Sequence, residues 1–456
     1  IGFKTQEKIV KGNKVIDVVL KEDEANVLDE VTITGTGAQK KITVTGAVTT
    51  VDVSQLKTPS ASITNALAGT VPGIMARQTS GQPGENFSEF WIRGISTFGA
   101  GASALVLVDG FERSLNEVNV EDIQDFSVLK DASATAIYGS RGANGVVLIT
   151  TKRGKEGKTK VNAKVETSYS TRTKTPEFVD GVKYVQMVNE AFTTRSKPAP
   201  YTDEDVELFR NGLDPELFPN VNWMDMILKK GAPIYRATVD LSGGGTTARY
   251  FVSASYVDEG GMYKTDKGLK EYDTNANYRR WNYRMNIDLN LTKTTLLKVG
   301  VSGSLDKKNQ PGGTASQVWI SALSYNPIAT PVKYKDGKWA AQGTNNQINP
   351  WFLVTQMGYA ENWNNKIQTT INLEQDLKFV TKGLKFIGRF GYDTNTYNSN
   401  AHRKWPDMWR AQNQRNGFGQ LELKKVVDEQ LMKITPTSTG DRKEYLEAEL
   451  HYNRTF

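Results

Sequence analysis

The sequence predicts a mainly β chain in which an α+β domain precedes about eight strands of an antiparallel transmembrane β-barrel. Three observations carry that prediction. The stretch WNYRMNIDLNL alternates without a break, Trp281, Tyr283, Met285, Ile287, Leu289 and Leu291 against Asn282, Arg284, Asn286, Asp288 and Asn290. A strand has period two, so one face is wholly apolar and the other wholly polar. Connections between such strands alternate strictly between short and long, as expected when one rim of a barrel faces the periplasm and the other carries extracellular loops. Finally, no run approaches the roughly 18 apolar residues of a membrane-spanning helix, which leaves a β-barrel open because its alternation hides from any averaged hydropathy.

Composition bounds the alternatives. A formal charge of +7 arises from 57 basic and 50 acidic residues, both signs dispersed, and no basic block interleaved with aromatics suggests a nucleic-acid groove. Cysteine is absent and only His402 and His451 occur. Disulfide scaffolds, thiolate metal sites and histidine-rich metal centres therefore have no ligands to build them, and no enzyme constellation or cofactor is expected.

Taken in order, Ile1 to Leu20 reads as two strands joined by a Gly-Asn turn, with no secretory leader ahead of it; the natural N-terminus is expected further upstream. Residues 21–50 are first acidic (KEDEANVLDE) and then rich in Thr and Gly. Such a segment has strand propensity and little apolar surface, which suits mobility and capture as an added strand at a sheet edge. Between Val51 and Lys152 the pattern gives a helix Ala61 to Ala68 capped by Ser60, strands at Ile74 to Arg77, Phe90 to Arg93 and Ala104 to Val108, and a helical turn Glu121 to Ile123 leading into Asp125 to Leu129. Asp131 is placed to cap a helix Ala132 to Tyr138, Gly139 to close it, and Gly142 and Gly145 to keep the next turn compact before the strand Val146 to Thr150.

At LKDASATAIYGSRGANGVVLITTKRG the residues resemble the end of the plug domain of TonB-dependent outer-membrane receptors, in the form of the SusC-like nutrient importers. LAGTVPGI, WIRGIS, LVLVDGF and DIQDFSVLKDASATAIYGSRGANG follow in plug order, and NWMDMILKKGAPIYRATVDLSGGGTTARYFVSASYVDEGGMY is similar to the start of such barrels. The resemblance implies four parts: residues 1–20 as the end of a carboxypeptidase-regulatory-like β-sandwich, 21–50 as linker and TonB box, 51–155 as a plug in the barrel lumen, and 156–456 as the first part of the barrel. It centres the TonB box on Glu30, Val31, Thr32, Ile33 and Thr34.

From Val161 onward strands are expected at Val161 to Tyr169, Ala237 to Leu241, Tyr250 to Tyr256, Trp281 to Leu291, Leu297 to Leu305, Ile367 to Phe379, Leu384 to Tyr392 and Leu446 to Tyr452. Gly243 to Thr247, Thr292 to Thr295 and Thr381 to Gly383 are the short turns; Arg172 to Tyr235, Asp258 to Arg280, Asp306 to Lys366 and Thr394 to Glu444 are the long links. The first long link carries helices, Asp180 capping Val182 to Ala191 and Thr202 with Asp205 forming a capping box ahead of Val206 to Arg210. The third and fourth hold Trp319, Tyr325, Trp339, Trp351, Trp405 and Trp409, which can stack on sugar rings or pack on a partner protein, or else pack the loops on themselves or form an interfacial belt. Phe87, Arg93, Phe98, Trp319, Trp339 and Trp405 are the substrate-binding candidates, although arginines such as Arg93 and Arg141 more often pair with carboxylates in a polar lumen. GKEGKT at Gly154 to Thr159 lacks the spacing and helix of a phosphate loop, and Glu447 with Glu449 reads as a solvated strand face.

Eight strands enclose a space just filled by side chains, whereas a plug of about a hundred residues needs a barrel of about 22 strands. The rest of the barrel is therefore expected beyond residue 456 or on another polypeptide. The resemblance implies active import across the outer membrane of an oligosaccharide or peptide, with membrane lipid around the barrel, TonB with ExbB and ExbD as energy source, and a SusD-like surface lipoprotein as lid. Two alternatives stay open: a siderophore or vitamin receptor without a lid, and a soluble β-rich glycan-binding module.

Overall fold

The computed structural model describes residues 31–34, 37–40, 48–58, 60, 62–94, 103–343 and 348–454. The N-terminal strand pair expected over 1–20 lies outside these residues. At the N-terminal edge, β1 (Val31–Thr34) and β2 (Gly37–Lys40) form an antiparallel hairpin with Val31 opposite Lys40. The chain divides into two compact units, the first holding residues up to Thr58 with Ile63–Arg77 and Ser88–Thr151, the second Pro59–Ser62, Gln78–Phe87 and Lys152–Phe456.

The first unit is built around β3 (Val48–Val51), the hairpin β4 (Ile74–Gln78) and β5 (Ser88–Ile92), then β6 (Leu105–Val108), β7 (Phe111–Glu112), β8 (Ile123–Leu129) and β9 (Val146–Thr151). Five of them make one sheet in the order β3-β8-β9-β6-β7, with β6 and β9 parallel. β9 sits at its centre, which is why VVLIT is apolar on both faces: Val146 and Val147 are fully buried and Ile149 is 2% exposed. Leu56, Leu67, Phe126 and Val128 complete the core on one side of this sheet.

Asp131 precedes the helix as expected, but α1 is only Ala132–Thr135, and the carboxylate makes no cap bond. It is drawn instead into an ion pair with Arg93 at 2.5 Å. A 3-10 turn continues over Ala136–Gly142, broken at Gly139, whose φ of 57° comes with ψ of −142°, outside the left-handed helical well that a terminating glycine would adopt. Gly145 is required where it stands: φ is +87°, and a Cβ there would meet Ile92 Cδ1 at 2.7 Å. The Ala61 to Ala68 helix reduces to a 3-10 turn at Ile63–Ala66, because the Ser60 hydroxyl accepts from Ser62 N and makes a local turn in place of a helix cap.

The second unit is an eight-stranded antiparallel meander: β10 (Gly157–Thr171), β11 (Gly231–Gly244), β12 (Ala248–Glu259), β13 (Asn277–Asn290), β14 (Thr295–Pro311), β16 (Gly358–Asp376), β17 (Leu384–Trp405) and β20 (Gln430–Tyr452), each paired with the next. The shorter β15 (Trp339–Ala340), β18 (Met408–Arg415) and β19 (Leu421–Val427) form a separate sheet within the connections. All eight expected strands are present and run further toward the long connections than alternation alone indicated. The sixth ends at Asp376, before Phe379, because Leu377 N–H and Leu384 O close the turn there.

Register keeps apolar and polar rows in step across the sheet, with the buried Phe251 and Val257 set into the polar face. Leu241, Val252, Met285 and Val301 lie in one row, and Asp240, Ser253, Arg284, Ser302 and Gln368 in the adjacent one. The two rows have opposite fates: Met285 is 36% exposed and Tyr283 41%, whereas Arg284 is 5% exposed and Asn286 1%. A sheet that turns its apolar face outward and buries its arginines is inverted relative to a soluble sandwich.

Candidate functional site

Four long connections leave the same end of this sheet, and the sequence folds each locally before they meet. The first carries α2 (Gly181–Thr193), capped by Asp180 accepting from Lys183 N, and α3 (Asp203–Asn211), opened by the Thr202–Asp205 capping box. It also carries α4 (Trp223–Ile227), which sequence periodicity did not reveal; its signal was Asn222, whose side chain accepts from Asp225 N. The third carries α5 (Ala315–Ser324), with a Thr314–Gln317 capping box, and α6 (Pro350–Thr355), with Asn349 as cap and Pro350 in the first turn.

These pieces share one hydrophobic core. Ile227 and Met224 of the first connection, Tyr263 of the second, Val318, Phe352 and Val354 of the third and Met408 of the fourth are all buried together. Phe352 stands at the centre, stacked on Trp405 with ring centroids 5.6 Å apart and edge-on to Trp339 at 6.3 Å. Burial pushes the Tyr263 and Tyr325 hydroxyls up to about 12. Tyr325 shares a hydrogen bond of 3.1 Å with Thr330 and receives one from Gln342 N, so its ring and its hydroxyl are both committed to the fold.

Polar contacts tie the same connections together. Arg415 of the fourth donates from Nη2 to Asp214 Oδ1 at 2.7 Å and from Nε to Asp214 Oδ2 at 2.9 Å, both atoms of the first, and reaches Glu216 at 3.2 Å. Its hydrogen bonds hold the Asp214 carboxyl below the usual aspartate range, and the same bonds raise the guanidinium. Gln356 Nε2 donates to Asp266 at 2.8 Å, which links the third connection to the second.

Below the connections, the polar face of the sheet is a network. Tyr278 donates to Asp306 at 2.8 Å, and Arg280 pairs with the same carboxylate at 3.3 Å. Asn86 Nδ2 donates to the buried Glu259 at 2.7 Å, Lys308 pairs with Glu85, and Asn286 Nδ2 donates to Lys152 O at 2.7 Å. On β17, Arg389 holds both Glu447 at 2.8 Å and Glu449 at 3.1 Å, so that carboxylate pair is an ion-pair ladder. Among the described residues no cluster of three or more metal-ligating side chains occurs. The arrangement offers hydrogen bonds and charge to a polar solute.

The residues singled out from sequence are dispersed. Phe98 and Glu30 lie outside the described residues, and Val31, Thr32, Ile33 and Thr34 form β1, paired with its own hairpin partner. Arg93 is committed to Asp131, with a φ of 59° unusual for a side chain of its size, and Arg141 pairs with Glu112. Phe87 is half-buried in the segment Gln78–Phe87. Trp339 and Trp405 pack the loop core, whereas Trp319 is 37% exposed on α5 beside Ile320 at 44% and Leu323 at 49%. Sequence reading passed over Phe418, 91% exposed at the tip of the β18–β19 hairpin, where NGFG was a turn signal without a periodic strand to flag it.

Residues 40–146 match the family model described as TonB-dependent Receptor Plug Domain. The chain is 32% identical over 347 residues to TonB-dependent receptor P26 of Formosa agariphila, covering 74% of this chain and 32% of that protein. It is 29% identical over 359 residues to TonB-dependent receptor SusC of Bacteroides thetaiotaomicron, covering 74% of this chain and 32% of SusC. The chain thus spans about a third of the length of these curated relatives. Among solved structures, the RagAB peptide importer in its closed-closed state superposes with a TM-score of 0.70 at 22% identity, over 91% of this chain and 46% of that one, a likeness of fold.

Proposed function

Because the chain belongs with the SusC-like TonB-dependent receptors of the outer membrane, we propose that it is the plug-bearing part of an active importer for oligosaccharides or peptides. In this reading the outward apolar rows face acyl chains, and the buried polar face lines the path of a hydrated solute. TonB, energised through ExbB and ExbD, pulls on the segment around Glu30 to Thr34 and displaces the plug. A SusD-like lipoprotein covers the extracellular end. The chain makes and breaks no bond; its work is selection and gating.

The observation that carries the reading is the inverted sheet, with Trp281, Tyr283 and Met285 exposed while Arg284, Asn286 and Asp288 are buried. That pattern speaks against a soluble glycan-binding module, which would leave an unbroken apolar face in water. The SusC-like match over three quarters of the chain speaks for the lidded importer over a lidless siderophore or vitamin receptor. Trp319 is the ring best placed to meet cargo or lid, since Trp339 and Trp405 are engaged in the loop core.

Deleting Leu28 to Thr34 from the full-length receptor tests the coupling role. Uptake of labelled cargo is expected to fall to background with surface binding intact. Uptake that persists would refute it.

A further inference from the structure

The sheet's short-turn rim carries charge and apolar surface together, a feature that import does not call upon. The turn Leu377 to Gly383 presents Phe379 and Val380 at its tip, 77% and 65% exposed, between Lys378 and Lys382. The neighbouring turn presents Leu291, 55% exposed, two residues from Lys293. At the start of β10, on the same rim because Gly157 pairs with Gly244, stand Lys155, Lys158 and Lys160, all exposed.

These six ammonium groups make no ion pair among the described residues, in contrast to their neighbours. Lys298 and Lys385 share Glu374, and Arg249 faces Glu156 at 3.6 Å. Glu156 and Glu374 are thus taken up locally, Asp376 accepts from the backbone N–H of Lys378, and the balance of the rim is positive. An aromatic and an aliphatic residue at the tip of a turn are costly in water, yet they continue the outward apolar face represented by Ile371 and Phe390. Apolar tips flanked by lysines that reach back toward polar headgroups are the arrangement an interfacial segment adopts.

We propose that this rim is a docking collar for anionic phospholipid headgroups, with Phe379, Val380 and Leu291 seated at the acyl boundary and Lys293, Lys378 and Lys382 on the phosphates. The inference rests on the membrane-wall reading of the sheet. It adds that the lipid is selected by charge.

The test uses the full-length receptor, exchanged into vesicles of phosphatidylglycerol and phosphatidylcholine in equal parts, with co-purifying lipid read by native mass spectrometry. The wild type is expected to retain phosphatidylglycerol preferentially, and K293Q/K378Q/K382Q to lose that enrichment by about fivefold for each charge removed. K293R/K378R/K382R should restore it, and heat-modifiable migration on gels certifies that each variant is folded. Equal enrichment in wild type and glutamine variant would overturn the proposal, as would lysines needed only to capture an acidic periplasmic protein. A wild type that fails to float with vesicles at all would overturn the membrane-wall reading as well, which separates the two failures.

Discussion

Arg415 grips Asp214 with two parallel hydrogen bonds, 2.7 and 2.9 Å long, across 201 residues of sequence. A bidentate guanidinium-carboxylate pair fixes orientation as well as distance. The pair therefore sets the fourth long connection against the first, and Glu216, also held by Arg415, adds a second anchor from the same connection.

Arg415→Ala should loosen both connections. Both side chains remain partly exposed, so the loss is about 1 kcal/mol, read as faster hydrogen exchange over β18, β19 and the Asp214 region with the barrel strands unchanged. Arg415→Lys should recover only part of it, since an ammonium cannot match the fork.

Acid should release the same contact. Asp214 has its carboxyl depressed in the folded chain, so the stability it contributes is present above the unfolded aspartate value of about 3.9 and is lost as pH falls through the folded value. Protease sensitivity of the β18–β19 hairpin is expected to stay flat from neutral pH to about 4 and to rise below it. Asp214→Asn should be sensitive throughout.

Phe352→Ala removes the ring on which Trp405 stacks and against which Trp339 stands. A fully buried phenylalanine at such a centre costs about 3 to 5 kcal/mol, and the loop core is expected to open to proteases while the receptor keeps its heat-modifiable barrel. Loss of the barrel as well would mean that loops and wall fold as one cooperative unit.

Gly303 faces Tyr283 in the register of β13 and β14, and a Cβ at Gly303 would meet the backbone carbonyl oxygen of Lys366 on β16 first and the Tyr283 ring next, at 2.6 Å. The tyrosine thus covers the backbone that the glycine leaves bare. Gly303→Val should destabilise the wall, Tyr283→Ala should do so by less, and because the Lys366 carbonyl stays in place the double variant should recover little of the Gly303→Val loss, measured as unfolding in denaturant.

Legibility tracked periodicity. The eight wall strands could be read because alternation along β13 and β16 is dictated by two different solvents, one on each face, and nothing else competes with it. The strand extensions into the long connections were not legible, since beyond the bilayer both faces are polar and residues such as Asn362 to Asn365 carry no pattern. In the first unit, Asp131 looked like a helix cap because its local sequence favours one; its engagement with Arg93, far along the chain, decided otherwise. The loop tryptophans could be placed in the right connections but not assigned, because packing on Phe352 and stacking on a solute call for the same residue types.

Lipid on one side of the wall strands is the physical condition on which import and lipid selection both depend. These 456 residues contain no cysteine; with any cysteine elsewhere in the full-length receptor replaced by serine, single cysteines introduced one at a time along Trp281 to Asn286, in vesicles, give a clean readout with a lipid-soluble thiol reagent. Labelling is expected at 281, 283 and 285 and not at 282, 284 or 286. Reversed or uniform labelling would contradict it.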